Sequence, residues 1–172
     1  MCSRRIFPAF SALLLILLFL LLPSPILASD DLRFINLNTG YTGVFNDDER
    51  DTARYGAEYR HSPLTRWLLR PAIGGIITER DASYYYIGLR RDFSLASRWF
   101  LTPSFDIGSY RQGRGIDLGA DVEFRSGLEL SYGFRSAWRA SLAFFHMSNS
   151  SLGDRNPGTD SVVVALYIPI GN

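Results

Sequence analysis

A histidine, a serine and an aspartate lie close together near the end of the sequence. His146 and Ser148 belong to the run His146-Met147-Ser148-Asn149, and Asp160 ends the stretch Asn156-Pro157-Gly158-Thr159-Asp160. Because residues two apart on a β-strand share a face, a strand here would place His146 beside Ser148. A hairpin would bring the start of the next strand, with Asp160, opposite them. A base, a nucleophile and an orienting carboxylate are the components of a catalytic triad.

The strands that would position these residues are indicated by a period-two alternation. In residues 52–61, alanines and tyrosines at positions 53, 55, 57 and 59 alternate with Arg54, Gly56, Glu58 and Arg60. In residues 116–134, the even positions are apolar apart from Ser126, and the odd positions carry charged residues, glycines and one serine. The alternation alone fits either a water-soluble sandwich or a transmembrane barrel with an apolar exterior and a polar lumen.

The N-terminus has the order of a secretory signal peptide. Arg4 and Arg5 precede an apolar run from Ala12 to Leu22, and a Pro-interrupted stretch leads to Ala28. The run is shorter than the roughly 20 apolar residues that a membrane-spanning helix needs. We therefore expect a signal peptide at residues 1–28, with cleavage after Ala28, and a single β-barrel domain at residues 29–172.

The exported part of the chain would contain no cysteine, because the only one, Cys2, lies within the predicted signal peptide. Disulfides and cysteine metal sites are thereby excluded from that part. The 18 basic and 17 acidic residues of the sequence are spread along the chain, and only Arg4 and Arg5 among them fall within the signal peptide. Neither the charge nor its distribution indicates a nucleic-acid partner.

Three features favour the barrel over the sandwich. Strand-like segments follow one another without an amphipathic helix between them, and there are eight of them, an even number. The apolar faces end in aromatic residues, as interfacial girdles do. An exported chain without disulfides also has few soluble architectures that would close every sheet edge. The predicted strands are 33–45, 52–61, 67–79, 83–92, 98–109, 116–134, 138–149 and 159–170, and the aromatic residues are Tyr41, Trp67, Tyr85, Trp99, Tyr132 and Trp138.

We therefore predict an all-β fold, an eight-stranded antiparallel transmembrane β-barrel of the outer membrane. The segment 116–134 is long for a membrane strand of about 9–11 residues. A turn at Arg125-Ser126-Gly127 would divide it and give nine strands. We predict one long strand, because the alternation keeps its parity throughout the segment.

Parity also predicts on which side of the barrel the triad lies. His146 and Ser148 share a face with Leu142 and Phe144, and Asp160 shares its face with Val162, Val164, Leu166 and Ile168. All three polar residues therefore continue the apolar exterior, and a substrate would arrive from the lipid side. Polar groups that face lipid are costly, which favours a functional explanation. The same three residue types are also common as hydrophilic residues at a membrane rim.

The stretches 146–149 and 156–160, followed by Tyr167-Ile168-Pro169-Ile170, resemble the lipid A 3-O-deacylase (PagL-like acyloxyacyl hydrolase) family. Upstream, Asp117-Leu118-Gly119 and residues 124–128 are similar to family sequence as well. The resemblance implies an eight-stranded outer-membrane barrel that removes the ester-linked acyl chain at position 3 of lipid A without a metal or other cofactor. The expected partners are lipid A or lipopolysaccharide as substrate and the lipids of the outer membrane.

Carried over by position, the resemblance implies that Ser148 is the nucleophile, His146 the general base and Asp160 the acid. Asn149 and Asn156 fall where the family has asparagines near the oxyanion site. One position departs from the family, which has Glu where this chain has Asp160. The shorter side chain implies a tighter hairpin, a water that bridges to His146, or a degraded triad.

Two other functions remain open for such a barrel. The first is a non-catalytic structural or adhesive outer-membrane protein, which the replacement of Glu by Asp160 supports. The second is a phospholipase, which would use the same chemistry on a different ester. Beside the triad, Arg155 is a candidate ligand for a lipid A phosphate, because guanidinium groups pair with phosphate in a bidentate way. An ordinary solvated loop arginine is the alternative.

Overall fold

The computed structural model describes residues 32–45, 52–64 and 67–170. The predicted signal peptide, residues 1–28, lies outside the described residues. In the described part of the chain, no helix is long and apolar enough to cross a membrane.

The described residues form nine β-strands in one antiparallel sheet. The strands are β1 (Arg33–Thr42), β2 (Thr52–Arg60), β3 (Arg70–Thr78), β4 (Ser83–Arg90), β5 (Phe93–Ala96), β6 (Trp99–Arg111), β7 (Val122–Gly133), β8 (Arg139–Ser148) and β9 (Thr159–Ile170). Two consecutive strands, β4 and β5, pair with β6 in one continuous register up to Ser94, so they are two segments of a single barrel strand. The sheet closes because β1 pairs with both β2 and β9. The predicted eight-stranded antiparallel barrel is therefore confirmed.

The alternation of the sequence sorts the side chains between the lumen and the exterior. In β7, Glu123, Arg125 and Glu129 are buried, whereas Leu128 and Leu130 are exposed. Exposed aromatic residues form one band at the end of the barrel where β1 ends and β2 begins, here called the upper end, and a second band at the lower end. The upper band contains Tyr41, Phe45, Tyr55 and Tyr85, and the lower band contains Trp67, Trp99, Phe134 and Trp138. Apolar exteriors with two such girdles are typical of membrane barrels.

Ion pairs in the lumen join side chains of neighbouring strands and of strands one apart. Asp106 on β6 accepts hydrogen bonds from Arg90 of β4 at 2.5 Å and from Arg125 of β7 at 2.8 Å. Glu58 on β2 accepts another from Arg90 at 2.6 Å. Buried charges require such partners, because an unpaired one carries a large desolvation cost. The middle of the lumen is thus a packed ionic core, as expected for a barrel this narrow.

The predicted strand at 116–134 is wrong in its first part. β7 begins at Val122, and residues 116–121 belong to the β6–β7 loop, residues 112–121. Ile116 and Leu118 were predicted to lie on the exterior, but they are buried in a cluster with the lumen-facing Tyr84 and Tyr110. The loop bends over the upper lumen, which its apolar residues fill. The rest of the segment is one strand without a turn at Arg125-Ser126-Gly127.

Candidate active site

His146 and Asp160 lie opposite each other on neighbouring strands. The register of β8 and β9 pairs the two residues directly, and His146 Nδ1 lies 2.8 Å from Asp160 Oδ1. Both side chains are on the barrel exterior, where 42% of His146 and 23% of Asp160 is exposed. With Nδ1 engaged by the carboxylate, Nε2 is left as the nitrogen that can accept a proton, which is the arrangement of a catalytic base.

The side chain of Asp160 is shorter than a glutamate at the same position would be, and it reaches the imidazole because of this register. Directly opposed residues on antiparallel strands have Cβ atoms about 4.5–5.5 Å apart, a span that a carboxylate and an imidazole can close without a bridging water. The backbone oxygen of Asp160 also accepts hydrogen bonds from Gly43 N at 2.8 Å and from Val44 N at 3.4 Å. These bonds fix the start of β9 to the end of β1 and so hold the carboxylate in place.

Ser148 is the last residue of β8 and follows His146 by two positions, on the same strand face. It is 9% exposed, and no hydrogen bond joins its hydroxyl to His146 in the described structure. The structure therefore brings His146 and Asp160 into contact and places Ser148 beside them without that last bond. Such bonds are often long in free enzymes and tighten when substrate binds.

Asn149 is fully buried, and its side chain holds the loops together. Its Nδ2 donates to the backbone oxygens of Leu118 and Arg155, both at 2.8 Å, and its Oδ1 accepts from Ser151 N at 2.8 Å. Both amide hydrogens are thus committed to backbone carbonyls. In this arrangement the Asn149 side chain shapes the β8–β9 loop, residues 149–158, and has no hydrogen left for an oxyanion.

Asn156 has an amide that remains available as a donor. Its Oδ1 accepts the backbone N–H of Asn149 at 3.1 Å, which fixes the orientation of the side chain. Among the described residues, none accepts a hydrogen bond from Asn156 Nδ2. Of the two predicted asparagines, Asn156 is therefore the one whose amide still has hydrogens to donate.

The β6–β7 loop supports the β8–β9 loop, a role that the sequence interpretation missed. Arg155 Nη2 donates to the backbone oxygen of Asp117 at 2.9 Å and lies 3.4 Å from its carboxylate. Gly119 has a φ of 90°, and a Cβ atom there would lie only 2.2 Å from the backbone oxygen of Arg155. The family-like residues Asp117-Leu118-Gly119 thus form a contact surface for the loop, and Arg155 is engaged in it.

Gly158 packs against the imidazole of His146. A Cβ atom at this position would lie 3.0 Å from His146 Cε1 and 3.5 Å from Nε2, and its φ is 68°. Both the positive φ and the close contact favour glycine here. The backbone before β9 therefore forms one wall of the site and limits how far the ring can rotate.

No curated protein sequence matches the chain. The profile of the lipid A 3-O-deacylase (PagL) family matches residues 51–169, which is more than half of the chain and includes His146, Ser148 and Asp160. The described part of the chain contains no group of three or more His, Cys, Asp or Glu residues that could hold a metal ion.

Several solved structures share the fold. The crystal structure of the outer membrane enzyme PagL is 15% identical with a TM-score of 0.60, and the match covers 80% of this chain and 99% of that one. A de novo designed transmembrane β-barrel is 11% identical with a TM-score of 0.56, over 81% and 96% of the two chains. Neisserial surface protein A (NspA) is 13% identical with a TM-score of 0.52, over 80% and 97%. At these identities the likenesses show the fold alone.

Proposed function

The chain belongs to the lipid A 3-O-deacylase (PagL) family, and from this membership we propose that it is an outer-membrane serine esterase that hydrolyses the acyl ester at position 3 of lipid A. The contact of 2.8 Å between His146 Nδ1 and Asp160 Oδ1 on the lipid-facing exterior is the observation that carries the proposal. A signal peptide at residues 1–28 would export the chain, and the remaining residues would form the barrel.

The proposed reaction begins when His146 Nε2 removes the proton from Ser148 Oγ, which attacks the ester carbonyl carbon. Asp160 holds the Nδ1–H and stabilises the imidazolium that forms. The C–O bond to the sugar then breaks, His146 returns the proton to the leaving hydroxyl, and the acyl group remains on Ser148. A water molecule, activated by His146, releases the fatty acid and restores the serine.

The oxyanion of each tetrahedral intermediate requires a donor, and Asn156 Nδ2 is our proposed one. Its orientation is set before substrate binds, because Asn149 N holds Asn156 Oδ1. A preorganised donor of this kind is typically worth about 10²–10³ in kcat. Asn149 contributes indirectly, since its side chain fixes the loop from which Asn156 projects.

The surface around the triad suits a lipid substrate. Phe144 and Phe45 are exposed on the same face, and their rings lie 6.1 Å apart. Val162 and Leu128, which lie directly opposite Phe144 on the two neighbouring strands, are exposed as well. An acyl chain that leaves the ester would therefore contact apolar side chains immediately beside the catalytic residues.

The mass of lipid A from cells that express the protein tests this function. We expect lipid A from cells with the wild-type chain to be lighter by one hydroxyacyl group than lipid A from matched cells with Ser148→Ala. Both proteins must be present in the outer membrane and must migrate faster before boiling than after it, as folded small barrels do. Unchanged lipid A in both strains would contradict the proposal, and shortened phospholipids in its place would indicate a phospholipase.

Replacing Gly158 by alanine is expected to lower kcat by about 10²-fold, since a displacement of the ring by about 1 Å can have this effect. The new Cβ would press on His146 Cε1 and would occupy a positive φ. The measurement is fatty acid release by purified protein in detergent. Gly133→Ala is the matched control, because a Cβ there would meet its nearest neighbour at an ordinary 3.4 Å. Equal losses in both variants would argue against a role for Gly158 in positioning the ring.

A further inference from the structure

A cavity lies in the upper lumen, beside Gly115 and Ile116 of the β6–β7 loop. Its volume is about 40 Å³. Since one water molecule needs roughly 10–15 Å³ of such space, the cavity has room for a ligand of about three or four non-hydrogen atoms. The guanidinium groups of Arg54 and Arg125 line it, and among the described residues no carboxylate does. The cavity therefore carries a net positive charge.

Arg54 is the arginine that this cavity leaves without a counterion. It is 3% exposed, and its Nη2 donates to the neutral Asn38 Oδ1 at 3.3 Å. Within the described ranges no carboxylate pairs with it, and its Nε is buried without a hydrogen-bond partner. Arg125 differs, because its Nη2 lies 2.7 Å from Asp106 Oδ2. A buried charge without a partner carries a large desolvation cost, so an anionic ligand at Arg54 would stabilise the barrel.

Three hydroxyl groups on β1 and β9 offer a further donor to the cavity. Ser161 Oγ donates to Thr42 Oγ1 at 3.1 Å, and Thr42 Oγ1 lies 3.3 Å from Thr159 Oγ1. Two bonds among three hydroxyls leave one hydrogen for a ligand. The rest of the lining is largely apolar, so a ligand with a charged end and a short apolar end matches it. The apolar lining residues are Ile76, Ala82, Tyr84, Tyr110, Ile116 and Met147.

We infer that the upper lumen is a binding site for a small monovalent carboxylate, such as acetate, held by the guanidinium of Arg54. A guanidinium and a carboxylate pair through two parallel N–H···O bonds, and the unpartnered Nε–H with a neighbouring Nη–H offers such a pair of donors. A chloride ion would leave this fork half used, and a phosphate ion would place charged oxygens against the apolar lining. The inference does not depend on the proposed deacylase function.

The bound carboxylate would lie behind the proposed catalytic residues. Met147 lies between the two of them on β8, and Thr159 and Ser161 flank Asp160 on β9. Because successive residues of a strand point to opposite faces, these three line the lumen while their neighbours face outwards. Binding would therefore stabilise the strand ends that carry the candidate site without contact with its substrate.

Thermal unfolding of the purified barrel in detergent tests the inference, with sodium acetate as the probe and sodium chloride at equal concentration and pH as the reference. We expect the unfolding temperature of the wild type to rise with acetate and to saturate, by about 5–10 °C at a hundredfold excess over Kd, and to rise less with chloride. Arg54→Met removes the charge and should abolish the difference between the two salts. Arg54→Lys keeps the charge without the fork and should weaken acetate binding by about tenfold.

Arg114→Met is the matched control, because the Arg114 side chain is 74% exposed and pairs with Asp81 outside the cavity. It should respond to acetate as the wild type does. A wild type that responds equally to both salts, or to neither, would overturn the inference, and so would an Arg54→Met variant that keeps the acetate response. If Arg54→Met does not fold, an undiminished acetate response in Arg54→Lys overturns it. A larger saturable response to sodium phosphate than to acetate, at matched ionic strength, would overturn the assignment to a carboxylate.

Discussion

Ser148→Ala and His146→Ala are each expected to lower kcat for acyl release by about four to six orders of magnitude, as the loss of a triad member does in serine hydrolases. The barrel should remain folded in both variants, because neither side chain takes part in the ion pairs of the lumen. Folding is measured by the difference in migration before and after boiling, and kcat by the fatty acid released from purified lipid A in detergent.

The double variant distinguishes a triad from two unrelated residues. Members of a triad act as one unit, so Ser148→Ala with His146→Ala should be hardly slower than either single variant. His61→Ala is the control for the histidine, since His61 is the only other histidine in the sequence and lies at the lower end of the barrel. Losses that multiply in the double variant would show that Ser148 and His146 do not share a mechanism. A comparable loss in His61→Ala would show that the effect is not specific to His146.

The alternation of the sequence was enough to predict the strands and their two faces, whereas the choice of a barrel also needed the even number of strands, the aromatic residues at their ends and the lack of cysteine after residue 28. A period of two arises whenever the two faces of a strand lie in different surroundings. The charged residues Glu123 and Arg125 on one face and the apolar Leu128 on the other show this in the sequence itself. Parity also placed His146 and Asp160 on the exterior, where the structure has them. What parity cannot give is the register across a loop of about ten residues, because no turn type fixes it. The contact between His146 and Asp160 therefore had to come from the structure.

The β6–β7 loop shows the limit of the same reasoning. Ile116 and Leu118 continue the parity of β7, yet they point into the upper lumen because the chain bends over the barrel before Val122. Alternation shows which residues avoid water, but it does not show whether these residues face lipid or a protein core. Gly119 has a φ of 90° in this loop, a conformation that glycine adopts readily, and this angle is visible only in the structure.

The two asparagines illustrate a different limit. An asparagine before a polar loop can act as an oxyanion donor or can hold the loop in place, because its amide can donate to a substrate or to backbone carbonyls. Only the partners in space separate the two roles. Asn149 is surrounded by Leu118, Ser151 and Arg155, whereas Asn156 is held by its oxygen alone. Mutation of Asn149 should therefore affect the reaction through the conformation of the β8–β9 loop, and mutation of Asn156 through the loss of the proposed oxyanion donor.

Asp160→Asn is expected to lower kcat by about 10⁴-fold, because an amide in place of the carboxylate favours the wrong imidazole tautomer and no longer stabilises the charged ring. The distance of 2.8 Å between His146 Nδ1 and Asp160 Oδ1 makes this carboxylate the direct partner of the base. The substitution keeps the size of the side chain, so the pairing of β8 with β9 should be unchanged. Activity on lipid A is compared at matched folding.

Asp160→Glu tests whether the departure from the family matters. Glutamate adds one methylene to a side chain that already reaches His146, but Asp160 lies on the open exterior and is 23% exposed, so the longer chain has room to bend. We therefore expect activity within about tenfold of the wild type, since the carboxylate and its hydrogen bond to Nδ1 are kept.

If the wild type is inert and Asp160→Glu alone restores turnover, the site of this chain has lost its activity through the replacement of glutamate by aspartate. If Asp160→Asn is as active as the wild type, Asp160 has no part in the mechanism, and the 2.8 Å contact is structural. If none of the three proteins releases a fatty acid, the non-catalytic barrel is the better account of this family member.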